Sequence, residues 1–144
     1  MPEKETLERA RKDKREGKAP STQAGEFVRE EIEHIREGKH GARSTKQAIA
    51  IGLSKARRAG VDLPPSEGSS EEVKEQAARD TRKARSRKRP SATRSRATRK
   101  ALKREGHSAA SKQALSRQAR SAAKKRSAAS RSRSAKKAAA TRKK

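Results

Sequence analysis

STQAGEFVREEIEHIREG, Ser21 to Gly38, followed by STKQAIAIGLSKARRAG, Ser44 to Gly60, is the stretch from which a fold can be read. In the first segment Ala24, Val28, Ile32 and Ile35 share one narrow stripe at ~100° per residue, with Phe27 on its edge. Arg29, Glu30, Glu33 and Glu37 take the opposite face. Ser21 or Thr22 can cap this helix, and Gly38 stops it. In the second segment Ser44 and Gln47 have the spacing of a capping box. Gly60 stands where a left-handed C′ residue belongs, with Val61 at the hydrophobic contact position after it. Ile49, Gly52, Leu53 and Ala56 make one face of the helix, whereas Ile51 points ~200° away from Ile49. A helical hairpin satisfies only one of those faces. Ile51 therefore calls for a second surface, supplied by the first helix, another copy of the chain or a partner, and it is the candidate partner-binding residue.

Outward from this module the chain changes character. Residues 1–17 read as a charged helix or arm, with Pro2, Glu3, Glu5 and Glu8 suited to a start, Gly17 to a stop, and only Leu7 suited to burial. Residues 18–63 are the helical module and 64–70, rich in Pro, Ser and Gly, a linker. Ser69 and Glu72 again have capping-box spacing and open a polar basic helix over 71–90. Pro90 and Gly106 then divide 91–144 into segments of Ala, Lys, Arg and Ser.

Charge is as unevenly distributed as hydrophobicity. From Thr81 onward there are 25 Lys and Arg against one acid, Glu105, whereas residues 1–80 carry 17 bases against 16 acids. Residues 81–144 have only two large apolar side chains, Leu102 and Leu115. Burying so little surface does not offset the entropy of ordering the segment, and repulsion between the cations opposes the helix that Ala, Lys and Arg otherwise favour. The expected fold is all-α, a small helical hairpin module followed by a largely disordered basic tail that gains helix when phosphates neutralise it.

Such a polycation matches the phosphate backbone of a nucleic acid. The candidate contacts are Arg82, Lys83, Arg85, Arg87, Lys88, Arg89, Arg94, Arg96, Arg99, Lys100, Lys103, Arg104, Lys112, Arg117, Arg120, Lys124, Lys125, Arg126, Arg131 and Arg133. Small Ser, Thr and Ala residues between them permit close approach to a groove, a mode that reads charge and not sequence. A single aromatic residue, Phe27, argues against base-stacking platforms. A helix-turn-helix over the module, reading bases with Lys46, Gln47, Lys55, Arg57 and Arg58, is a weaker alternative, because Ile49, Ile51 and Leu53 use most of the surface. The acidic residues Glu30, Glu31 and Glu33 would repel DNA and are suited to holding the tail in its absence.

Little points to catalysis. The chain has no cysteine, and its histidines, His34, His40 and His107, lie in different segments. No metal site and no cofactor are expected, nor an enzyme. Gly17-Lys18-Ala19-Pro20-Ser21-Thr22 lacks both the first glycine and the Lys-Ser/Thr pair of a phosphate-binding loop. No apolar run suits a membrane span and the charged N-terminal segment has no apolar stretch of the kind a secretory signal needs, so a cytoplasmic, nucleoid location is expected, with no membrane partner and no small-molecule substrate.

One internal echo stands out: Arg36-Glu37-Gly38 before Lys46-Gln47-Ala48-Ile49, and Arg104-Glu105-Gly106 before Lys112-Gln113-Ala114-Leu115. Coincidence in a tail of low complexity and a degenerate second copy both remain open. GKHGARSTKQAIAIGLSKARRAG, Gly38 to Gly60, resembles the core of a family of small, uncharacterised, basic proteobacterial proteins with a KQAIAIxLSxARxAG pattern, and the Ala/Lys/Arg tail resembles that of bacterial histone-like proteins. The core resemblance implies a bacterial cytoplasmic location, no established activity and no catalytic residues, and the tail's resemblance to histone-like proteins is what suggests DNA binding. The resulting expectation is a nonspecific DNA-binding, nucleoid-associated protein, with homo-oligomers formed through 18–63. An RNA- or ribosome-associated protein and a partner-docking module localised by its tail are the alternatives.

Overall fold

Serine and glycine punctuate the chain. The computed structural model describes residues 1–86 and 88–143, and among these form α1 (Lys4–Arg15), α2 (Pro20–Arg36), α3 (Thr45–Arg58), α4 (Glu71–Arg85), α5 (Ala92–Lys103), α6 (Lys112–Lys125) and α7 (Ala128–Arg142). A short 3₁₀ turn, Ser108–Ala110, precedes α6. Gly17, Gly38 and Gly60 adopt positive φ directly after α1, α2 and α3. At Gly60 the stop is a complete Schellman motif, with the Val61 N–H on the Ala56 carbonyl at 3.0 Å and the Gly60 N–H on the Arg57 carbonyl at 3.0 Å. Ser44 caps α3 by accepting from the Gln47 N–H at 3.2 Å, while the Gln47 side chain accepts from the Arg43 N–H at 2.7 Å, one residue before the reciprocal partner a capping box uses. The start of α2 falls earlier than its hydroxyls suggest, because Pro20 takes the first helical position.

The expected hairpin is present. α2 and α3 run antiparallel and cross where Gly52 meets Val28, so closely that a Cβ on Gly52 would lie 2.7 Å from the Val28 Cα. Their apolar faces build two clusters. Ala24, Phe27, Ala56 and Val61 form one with Ala10, and Leu7, Leu53 and Leu63 pack against it. Ile32, Ile35, Ala42 and Ala48 form the other. Phe27 and Ile35 are fully buried, each contributing about 1.5–3 kcal/mol relative to exposure.

The segment read over residues 1–17 as a helix or arm forms α1, and α1 packs on this core with burial beyond Leu7. It runs antiparallel along α2, with Thr6, Ala10 and Asp13 buried, Arg9 Nε on Glu26 at 2.7 Å, and Lys18 on Asp13 at 2.7 Å across the turn. Alanine and threonine supply the buried face that a search for large apolar residues passes over. Glu30 and Glu31 of α2's polar face are also buried, Glu30 against the Glu3 amide just before α1 and Glu31 against Lys55 of α3 and His40 of the α2–α3 loop.

The disordered tail is overturned: α5, α6 and α7 are ordered helices, and the segment before α6 docks on the hairpin. Ala109 and Ala110 are buried in the cluster of Ile32 and Ile35, with Leu115 packed against it. Thr45 Oγ1 donates to the Ala109 carbonyl at 2.7 Å and Arg36 Nε to the Ala110 carbonyl at 2.9 Å. The Gly41 and Ala42 amides donate to the Leu102 and Gly106 carbonyls at 2.9 and 3.0 Å. The tail lacks a core of its own, as its composition requires. It borrows one, however, and alanines suffice at the joint because the module contributes the large side chains. Ser91, Ser111 and Ser127 each cap a helix locally. The loop between the two parts of the first echoed copy, residues 39–43, lies against the Arg104-Glu105-Gly106 part of the second.

α4 closes the remaining face of α3. The fully buried Asp80 accepts from Ser54 Oγ at 2.7 Å, Arg58 Nε at 2.8 Å and Gln76 Nε2 at 3.1 Å. Ile51 lies half-buried on the side of α3 that carries Ser54 and Arg58, so α4 supplies a surface there from within the chain.

Candidate nucleic-acid interface

Every described residue in the predicted basic set is exposed, from Arg82 on α4 to Arg133 on α7; Arg87 lies outside the described residues. Among the described residues none of these side chains pairs with a carboxylate. The N-terminal half differs: Arg9, Lys18, Lys39, Lys55 and Arg58 are matched to Glu26, Asp13, Glu37, Glu31 and Asp80. The tail's own acid, Glu105, faces Arg43 at 3.9 Å. Asp13, Glu26, Glu31 and Asp80 are thus used within the helical body, and the described cations of the second half are left to solvent.

Within this set the fold brings four predicted residues together. A groove of about 390 Å³ runs between the N-terminus of α3 and the side of α6, lined by Arg43, Ser44, Thr45, Lys46, Ser108 and Arg117 among others. Beyond it an open, shallow hollow of about 430 Å³ lies along α6 itself, bordered by Arg117, Arg120, Ser121, Lys124 and Lys125. The two share Arg117 and Ser121, and no acid lines either. The positive end of the α3 dipole points to the first of them, adding to the field of the three cations there. Arg43 was missed because it stands apart from the tail in sequence, although its place just before a capped helix start was a usable signal.

The others are spread around this channel. Arg94, Arg96, Arg99, Lys100 and Lys103 crowd along α5, which buries no residue. Arg82, Lys83 and Arg85 end α4, and Arg131 and Arg133 open α7. Arg126 has structural work at the α6–α7 junction, where its guanidinium donates to Ser130 Oγ at 3.0 Å, the Ser130 carbonyl at 3.1 Å and Ser134 Oγ at 2.5 Å. The helix-turn-helix alternative loses most of its reading residues: Lys55 contacts Glu31, Arg57 donates to the Leu63 carbonyl at 2.8 Å, Arg58 binds Asp80, and Gln47 serves the Arg43 amide. Glu30 and Glu31, buried at 2% and 1% exposure, are out of the tail's reach, so only Glu33 of that acidic group stays on the surface.

The histidines are less scattered than their sequence positions suggest. His34 and His40 meet edge to face with ring centroids 6.1 Å apart. Glu3 lies against His34 and Lys39, and hydrogen bonds from both hold its carboxyl below the usual carboxylate range.

Residues 14–67, from the last turn of α1 through the hairpin to the segment before α4, are similar to a family described as a family of unknown function, DUF6496. No curated protein and no solved structure matches the chain. Among the described residues no helix is long and apolar enough to cross a membrane.

Proposed function

We propose that this protein binds duplex DNA without sequence selectivity, as a non-enzymatic, nucleoid-associated protein of histone-like character in a bacterial cytoplasm. The observation that carries the reading is the segregation of charge in three dimensions: the described cations of the second half are exposed and free of carboxylates, while in the N-terminal half Arg9, Lys18, Lys55 and Arg58 are paired with Glu26, Asp13, Glu31 and Asp80 inside the body. An evenly mixed surface would serve solubility alone. A one-sign surface of ordered helices carries a standing repulsion that polyanion binding relieves, with release of counterions. The binding element is a folded array of short basic helices around the α3–α6 channel. Order before binding lowers the entropy lost on association, which favours affinity over the same charges on a coil.

The deciding experiment measures binding of the full chain to mixed-sequence duplex DNA and to duplex RNA across a salt series. The reading expects similar affinity for unrelated DNA sequences, weaker binding to RNA, and a steep loss with salt. Preference for RNA, together with cosedimentation with ribosomes that survives DNase, would transfer the function to an RNA-bound role.

A further inference from the structure

We infer that Glu31, His34 and His40 form a binding site for a divalent transition metal of the zinc type, which pins the α2–α3 loop. Their candidate ligand atoms, one per residue, lie within 4.8 Å of one another at the end of α2, under the N-terminus of α1. Two imidazoles and a carboxylate are the donor set that suits zinc, leaving a fourth position to water.

The hydrogen bonding around His40 points to a cation independently of that spacing. His40 Nδ1 lies 2.9 Å from the Gly41 carbonyl, which only accepts, so Nδ1 carries the proton. In the neutral ring Nε2 is then a bare lone pair, and it faces Glu31 Oε2 at 3.2 Å. Two acceptors at that distance require a cation between them, either a second ring proton or a metal. Ligand atoms on a tetrahedral zinc, with bonds of about 2.0–2.1 Å, stand ~3.3 Å apart. A ligating imidazole that gives its other N–H to a backbone carbonyl is the usual outer support of such a site, and Lys55 on Glu31 Oε1 completes it by leaving Oε2 for the metal. Glu30 adds to the local negative charge: it is 2% exposed, has no Lys or Arg partner among the described residues, accepts from the Glu3 N–H at 3.3 and 3.4 Å, and has His34 Nε2 3.8 Å from Oε1. In a chain of formal charge +25, this pocket is a place where a divalent cation is attracted.

His40 directly precedes Gly41 and Ala42, whose amides hold residues 102 and 106. A metal on His34 and His40 therefore fixes the loop on which the basic half docks.

The test adds Zn²⁺ alone to the metal-free full chain, followed by calorimetry and by the imidazole resonances of its three histidines. One Zn²⁺ per chain is expected, with the His34 and His40 rings shifting and His107 unmoved. His34→Gln and His40→Gln should each weaken binding by at least about tenfold, and His107→Gln should not. Absence of binding, or one Zn²⁺ bound with His34 and His40 unshifted in the wild-type chain, overturns the site. The wild-type spectra keep the test decisive should a glutamine variant unfold.

Discussion

Gly41 has no room for a side chain because the Glu105 carbonyl oxygen, with that of Gly106 beside it, fills the space a Cβ would take. The contact joins the module's loop to the basic half backbone to backbone, with the Gly41 amide on the Leu102 carbonyl. Gly41→Ala should cost the joint about 1–3 kcal/mol through overpacking. The measurable result is faster amide exchange over residues 102–115, with protection of Phe27 and Ile35 retained. Unchanged exchange there would mean that the loop shifts freely and the docking is weak.

That joint also marks where the sequence became hard to read. The α2 stripe, the Ser44 cap and the glycine stops were legible because they depend on neighbours a few residues away. The helix of α1 was legible too, but its packing and that of the docked segment were not, because α1 buries Thr6 and Ala10 and the docked segment Ala109 and Ala110, small residues whose worth depends on an approaching backbone and not on their own area. Counting Leu102 and Leu115 correctly showed that the second half has no separate core, yet it could not show that Ala109 and Ala110 fit under Ile32 and Ile35. The basic residues were legible one by one. Their convergence was not, since Lys46 and Arg117 meet only through the α3–α6 packing.

Asp80 should hold α4 in place. Its buried carboxylate takes hydrogen bonds from Ser54, Arg58 and Gln76, so Asp80→Ala leaves those donors unmatched at a cost of about 1–3 kcal/mol. Proteolysis within residues 64–70 should accelerate. Release of α4 should also bare the Ile51 side of α3, making association concentration-dependent in analytical ultracentrifugation. Adding Ile51→Lys to Asp80→Ala should abolish that association; if it persists, Ile51 is not its contact.

The α1–α2 turn should loosen in acid. Lys18 bridges Asp13 and Glu16 at 2.7 and 2.8 Å, and its hydrogen bond holds the Glu16 carboxyl below the ordinary range. A depressed folded pKa gives a contribution that is complete above the ordinary Glu value of about 4.3 and is lost as pH falls through the lower folded value. Exchange of the Lys18 amide, bonded to the Asp13 carbonyl at 2.9 Å, should therefore rise below about pH 4 beyond its intrinsic rate. Lys18→Gln should already show that higher exchange near neutrality, with a weaker acid dependence.

Salt dependence separates the two halves of the proposed interface. If roughly eight phosphates are neutralised at once, log K should fall against log salt with a slope near −7. Replacing Arg94, Arg96, Arg99 and Lys100 of α5 by Ala, and in a second variant Arg117, Arg120, Lys124 and Lys125 of α6, should each flatten that slope by up to about four phosphates' worth. Both variants should weaken unrelated duplexes equally, since no described side chain in either set is positioned by a partner that would aim it at a base edge. The sets differ in surroundings: the α6 cations continue a channel that Arg43, Lys46 and the α3 N-terminus extend, whereas those of α5 stand alone on an exposed helix. The α6 variant should therefore lose more affinity at equal charge, because its residues act in a field with neighbours that remain fixed. Equal losses would mean that the fold only displays the charge and that the channel adds nothing to it.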